Sequence, residues 1–386
     1  MGSGTTVLFL PSPSTSGSWG STVRLATIAE ECRKRGDRVV FHAPTPSDQQ
    51  LRQRGMEVIP FSGIAASGLS SGPVDTFYDI CEVLGLGEAE SWERLLNAEA
   101  DAISDVEPDV IVADMRPSAP ISAARHGIPL AACAWVGADP RLHATGDHPY
   151  DDLARSIAAK WSAPEPESLA ELMYWRSDRQ LALSFPAFEP ELTDAPAVTY
   201  TGYLKDTWRL PGAPLIAPER LIVVYASSSP WGVPSTVDAL DEAARRADVT
   251  VWCVLRSDSR AQRYSDRCHV FQYLPMDEVL PSCSAMIFHG GLSTSVASLH
   301  YGVPTLAVPG KHYERRRNAD RLVAIGSGLT GELIDLLPSR LSTLLEQLVE
   351  DPRIRAAAQA ARAEAADYHG AVAAADAVHS LCGRGA

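Results

Sequence analysis

Short runs of β-branched and apolar residues alternate along the chain with stretches in which apolar residues recur every three or four positions. TTVLFL leads into an amphipathic segment that reaches Arg35, then come RVVFHA, QQLRQRG and EVIPF, and later DVIVADM and HGIPLAACAW. Strand-like runs separated by helical periods predict parallel βαβ units. A second series, LIVVYAS, VTVWCVL, HVFQYL, AMIFH and TLAVP, again with helical stretches between, starts after the Pro- and Gly-rich segment LPGAPLIAP at residues 210–218. The pattern therefore predicts two α/β sheets joined near that segment. Residues 62–100 and 136–180 interrupt the alternation with small, polar and turn-forming residues. Insertions of that kind lie over the carboxyl ends of strands in doubly wound folds, where ligands bind. The Ala- and Arg-rich stretch from Ile354 predicts a helix by propensity alone.

Composition narrows the functional classes. A length of 386 residues allows two domains, and 45% apolar with 21% charged residues excludes a disordered or fibrous chain. Thirty-four Lys and Arg against forty-eight Asp and Glu give a net charge of -14, so nucleic acid and anionic membrane surfaces are poor partners. The seven cysteines are scattered singly, with no CxxC pair and no His at metal-ligand spacing, which argues against a disulfide framework and a zinc site. No apolar run approaches the length of a bilayer span, and the short apolar stretch near the start has no basic residues ahead of it. The expectation is a soluble, cytoplasmic protein.

Most of the chemistry is concentrated in residues 271–328. AMIFH reads as a buried strand that ends in HGG and opens into a helix near Ser293. Gly290 and Gly291 remove side-chain bulk there, so that the helix N–H groups and the positive end of its dipole form an anion site. Ser293 and Thr294 can cap the helix or donate hydroxyls to a phosphate. An isolated HGG would be read as a strand-to-helix turn, but here YLP, HGGLST, YGVP and PGKHYERRRNA follow one another at set spacings. Together they resemble the donor-binding signature of GT-B nucleotide-sugar glycosyltransferases, the family of UDP-glycosyltransferases and of the antibiotic and sterol glycosyltransferases.

The resemblance implies an α/β GT-B fold of two Rossmann-like, doubly wound domains facing each other across a cleft. Residues 1–209 would bind the acceptor and 219–365 the donor, with a C-terminal helix over 366–386 packing back on the first domain. It further implies that Tyr273 and Leu274 flank the nucleobase and that His289, Gly291, Ser293 and Thr294 hold the diphosphate. Ser228 and Ser229 would add hydroxyl contacts, or else form a polar turn. No metal and no cofactor is implied, only a nucleotide sugar with UDP, dTDP or GDP undistinguished. Where the family commonly carries Asp-Gln for hexose hydroxyls, this chain has Glu314 and Arg315. Arg315 either favours an unusual donor or points to solvent within its Arg triplet.

VLFLPSPSTSGSWGSTVRLATIAEECRKRGDRVVF resembles the family's opening. Counted back from Arg35 and Gly36, the position at which relatives carry a catalytic His or Asp falls on Ser21, whose hydroxyl cannot take a proton near neutral pH. Asp114, at the end of DVIVADM, matches the carboxylate that orients the family's His, or else caps the helix after Pro117. His143 and His148 are candidate substitute bases, and Trp19 either lines the acceptor side or packs on the first helix. The expected activity is an inverting, metal-independent transfer of a sugar to a small, natural-product type acceptor, by a monomer or homodimer. The nucleophile would be unusual, or a substitute base would serve it. A catalytically silent GT-B partner protein and a nucleotide-sugar epimerase are the alternatives.

Overall fold

The computed structural model describes residues 4–15, 19–64, 73–134, 139, 141, 148–195, 197–206, 216–226, 233–255, 262–263 and 265–382. The chain divides into two compact units, Met1–Trp208 with Tyr368–Ala386, and Arg209–Asp367.

The first unit is built on β1 (Thr6–Leu10), β2 (Arg38–Pro44), β3 (Glu57–Phe61), β4 (Val110–Ala113), β5 (Leu130–Ala134), β6 (Arg179–Ala182) and β7 (Val198–Tyr200). Their order in the sheet is β3-β2-β1-β4-β5-β6-β7, and every pair is parallel. Val7 to Leu10 are fully buried, as expected where helices cover both faces of a parallel sheet. Alternate residues serve different layers. Val7 and Phe9 pack with Leu25, Ile28 and Cys32 of the Trp19–Lys34 helix, while Leu8 and Leu10 pack with Ile103 and Val106 of the Ala89–Val106 helix. The first layer also takes Ala374, Ala375, Val378 and Leu381 from the Ala371–Cys382 helix, which Arg35 clamps through Asp376 at 2.7 Å.

The second unit holds β8 (Leu221–Tyr225), β9 (Thr250–Val254), β10 (Gln262–Arg263), β11 (Cys268–Phe271), β12 (Cys283–Phe288), β13 (Thr305–Ala307) and β14 (Gly328–Thr330). The order is β10-β11-β9-β8-β12-β13-β14, parallel except for the short β10 at one edge.

Each sheet reverses its winding once, between β1 and β4 in the first unit and between β8 and β12 in the second. Connections leave in opposite directions from the carboxyl ends of such a strand pair, so a crevice opens there.

Three sequence expectations are corrected. Residues 62–100 and 136–180 are not turn-rich insertions throughout, because they contain the helices Phe77–Val83, Ala89–Val106, Pro149–Lys160 and Leu169–Tyr174. The first sheet extends through β6 and β7, which the pattern did not single out. The Ala- and Arg-rich stretch forms two helices, Pro352–Ala365 and Ala371–Cys382; the first ends at its cap Ala366, and Gly370, with φ +57°, turns the chain directly before the second.

Candidate functional site

His289 is the first residue beyond β12, at the reversal point of the second sheet. Gly290 follows with φ +85°, and a Cβ there would lie 2.6 Å from the carbonyl oxygen of Arg315. Only glycine fits, and its absent side chain lets the start of the Tyr313–Ile325 helix close onto the loop. Asn318 of that helix, buried, donates from Nδ2 to the Gly290 carbonyl at 2.8 Å. Gly291 occupies the cap position of the Leu292–Tyr301 helix, with no side-chain cap, and its carbonyl accepts from Ser295 N–H at 2.9 Å and Ser295 Oγ at 3.0 Å. Ser293 and Thr294 are therefore half-buried first-turn residues rather than the cap, and the helix begins at Leu292. Its first turn carries no acidic residue, so the helix N–H groups keep their anion-attracting character.

Two imidazoles and a guanidinium gather around this helix start. His289 is 8% exposed, and burial, with Arg315 and His312 nearby, pushes its imidazole down to about 3. His312, just ahead of the Tyr313–Ile325 helix, is pushed down to about 4 by burial and by Arg315. Arg315 is itself half-buried and lowered by desolvation, whereas Arg316 is exposed and donates to the Gly310 carbonyl at 3.0 Å. Within the Arg triplet, Arg315 is thus the one turned toward the two histidines. Glu314 is half-buried in the same first turn. Beyond β11, Tyr273 is 38% exposed and Leu274 is buried. Ser228 and Ser229 lie outside the described residues.

The first unit gathers a different set at its own reversal point. Ser21, in the first turn of the Trp19–Lys34 helix, is fully buried. Its Oγ accepts from Ser12 N–H at 3.0 Å and donates to the backbone carbonyl of Asp114 at 3.1 Å. Asp114 follows β4, and its carboxylate takes Arg24 Nε at 2.8 Å and Nη2 at 2.7 Å on a single oxygen. Arg24 lies three residues after Ser21 on the same helix, so both face one way. It was not among the residues the sequence pointed to. Asp114 does not cap the Ala119–His126 helix, whose cap position is Ser118.

Below this pair lies a buried ionic cluster. Arg116 donates from Nε to Glu99 at 2.6 Å and from Nη1 to the Pro11 carbonyl at 3.2 Å, and its Nη2 meets His42 Nδ1 at 3.2 Å. Ser118 and Ser122 hydroxyls also donate to Glu99. Burial, then Arg116, pushes His42 down to about 2, and its ring stacks on Phe61 at 4.4 Å. A buried pair with its remaining donors satisfied fixes geometry more surely than it adds stability. Here it ties the loop after β1 to β2 and β4.

His148 belongs to another group. It caps the Pro149–Lys160 helix, accepting from Tyr150 N–H through Nδ1 at 3.3 Å, and its ring stacks on Tyr78 at 3.7 Å. Tyr78 donates to Asp151 at 2.8 Å, and Asp151 also accepts from Leu169 N–H at 2.8 Å. His148 is thus built into an aromatic cap rather than joined to Ser21 and Asp114. His143 lies outside the described residues, and Trp19 is the first residue of its helix.

With this geometry in view, residues 239–374 match the erythromycin biosynthesis protein CIII-like C-terminal domain family. The aklavinone 7-beta-L-rhodosaminyltransferase of Streptomyces galilaeus is 29% identical over 246 residues, covering 60% of this chain and 54% of that protein. The chain thus spans about half the length of that curated relative. The calicheamicin glycosyltransferase CalG4 superposes with a TM-score of 0.79 at 18% identity, over 99% of both chains. The glycosyltransferase VinC, solved in complex with dTDP, gives a TM-score of 0.74 at 19% identity, over 98% of this chain and 100% of that one.

Two parallel α/β sheets, each with a polar cluster at its winding reversal, define a protein of the GT-B fold. Within that class, residues 239–374 carry the erythromycin biosynthesis protein CIII-like C-terminal domain, and the chain is similar to glycosyltransferases of Streptomyces.

Proposed function

We propose that this chain is an inverting, metal-independent glycosyltransferase that moves a sugar from a nucleoside diphosphate to a small, natural-product type acceptor. The observation that carries the reading is the His289-Gly290-Gly291 turn at the reversal point of the second sheet, with His312 and Arg315 beside an uncapped helix start. A diphosphate placed there would meet helix N–H groups, a guanidinium and two imidazoles. Those groups would stabilise the charge that develops as the nucleotide leaves, without a metal ion. Tyr273, exposed beyond β11, is suited to stack on a base. Inversion is supported by Asp114, whose carboxylate is engaged by Arg24 and is not free to form a covalent sugar intermediate. Substrates of the relatives, which modify antibiotic aglycones, support the acceptor class.

The test is a thermal-shift screen with dTDP, UDP, GDP and ADP, followed by incubation of dTDP-glucose and UDP-glucose with polyphenolic acceptors in EDTA. Stabilisation by one nucleotide is expected, since a ligand of the folded state alone raises stability by mass action. So is a product of opposite anomeric configuration formed without metal. No stabilisation by any of the four, or transfer that requires added magnesium or manganese, would refute the corresponding part. The replacement of the usual base by Ser21 favours a second reading, a relative that binds donor without turning it over. Nucleotide binding with no donor consumed by any acceptor would support it.

A further inference from the structure

A cavity of about 340 Å³ lies in the first unit, between the Ala119–His126 helix and the amino ends of β5 and β6. Asp114 follows the carboxyl end of β4, which runs parallel to β5, so the cavity is at the opposite end of the sheet from the Ser21 cluster. Pro120, Ala123, Ile128 and Leu130 give it apolar walls. Two charged side chains line it as well, and they differ. Arg176 donates from Nε to the Glu171 carboxylate and from Nη2 to the Glu165 carbonyl at 2.7 Å, so its charge is balanced. Asp178, exposed just before β6, accepts from the Leu130 N–H at 2.9 Å on one oxygen and has no ion-pair partner among the described residues.

The register of the sheet sets a second polar group in line with Asp178. Ala132 pairs with Gln180, and alternation along the strands puts Leu130, Ala132, Asp178 and Gln180 on one face. Gln180 is 1% exposed, and neither its amide oxygen nor its amide nitrogen has a partner among the described residues. A buried amide with both ends unpaired is rare in a folded interior and points to a bound group that answers it. Gln180 stands one pleat inward from Asp178, roughly 7 Å along β6.

We infer that this cavity is a second small-molecule site, for an organic ammonium ion whose apolar body carries a hydroxyl at its far end. The ammonium pairs with the Asp178 carboxylate, the body lies against Ala123, Ile128 and Leu130, and the hydroxyl hydrogen-bonds the Gln180 amide. A ligand held there staples the Ala119–His126 helix to β5 and β6 without reaching Ser21 or Asp114.

Tyramine has this layout. It is titrated into the isotope-labelled protein, followed by amide NMR, beside phenethylamine, which lacks the hydroxyl, and 3-(4-hydroxyphenyl)propanoate, which reverses the charge. The amide signals of Gly127, Ile128 and Leu130 should shift to saturation, with affinity falling from tyramine to phenethylamine to the carboxylate. Asp178→Asn keeps an acceptor for the Leu130 N–H and should weaken tyramine about fivefold, the upper range for an exposed ion pair. Gln180→Leu should erase the preference for tyramine over phenethylamine, expected at roughly two- to tenfold. Ala124→Phe fills the cavity from an exposed wall position and should abolish binding of both amines. Thermal unfolding checks that each variant is folded. Shifts that scatter over the surface or never saturate, equal affinity for amine and carboxylate, binding that persists in Ala124→Phe, or a tyramine preference that survives Gln180→Leu overturns the inference.

Discussion

Ser21 reaches Asp114 through the backbone carbonyl, at 3.1 Å, and not through the carboxylate, which belongs to Arg24. The hydroxyl is an interior strut between the loop after β1 and the end of β4.

Ser21→Ala should therefore register in stability before it registers in catalysis. It strips the Ser12 N–H of its acceptor in a site with no solvent. A loss of roughly 1–3 kcal/mol is expected from denaturant unfolding. Nucleotide affinity should be unchanged and transfer largely retained. A full loss of turnover in a stable, ligand-binding variant would make the hydroxyl a participant after all.

His289→Ala combined with Thr294→Ala should weaken nucleotide binding by about tenfold or more in calorimetry, since each removes a polar group from the helix start assigned to the diphosphate. Unchanged affinity would move the diphosphate elsewhere.

The imidazoles of His289 and His312 predict an acid limb in stability. Both are pushed below the usual 6.5, to about 3 for His289 and about 4 for His312, so the folded protein keeps them neutral. As pH falls below 6.5 the unfolded chain takes up protons that the folded chain refuses until pH nears 4 and then 3. Folding stability thus declines across that window and is insensitive to these groups above it. Urea midpoints measured from pH 7.5 down to 4.5 should show the slope, less steep in His289→Ala. A bound diphosphate favours imidazolium, so dTDP binding at pH 6 should take up protons, read by calorimetry in two buffers of different ionisation enthalpy. Binding that is proton-neutral would place the phosphates away from both rings.

Arg315→Gln should alter donor choice. The guanidinium stands half-buried beside His289 and His312, where relatives commonly offer a neutral amide, and an amide lacks its fork of donors. The ratio of kcat/KM for the preferred donor to that for dTDP-glucose should fall. An unaltered ratio would limit Arg315 to a structural part.

The turn at residues 289–291 was legible in the sequence because its pattern is local. HGG, the residue after it and the Glu314-Arg315 pair sit at the ends of continuous apolar runs, and β12 with the helices on either side lies close along the chain. The cluster around Ser21 and Asp114 was not, since its contacts depend on which strands become neighbours. Arg24 looks like any solvent-facing arginine of an amphipathic helix until β4, about ninety residues later, is set beside β1. The Arg116, Glu99 and His42 cluster is hidden for the same reason. RQLA and VTY gave no signal as strands because β6 and β7 are four and three residues long, too short to display a period.

The contact of Gly290 with the Arg315 carbonyl, locked by Asn318, has a bearing on how such proteins diversify. Residues 289 and 318 bracket a stretch whose two ends are fitted to each other, so recombination with a relative is best tolerated when the crossover points lie outside it. A hybrid that imports the glycine turn without the matching helix start inherits a mismatched backbone contact, and one that imports the whole stretch keeps the two ends matched.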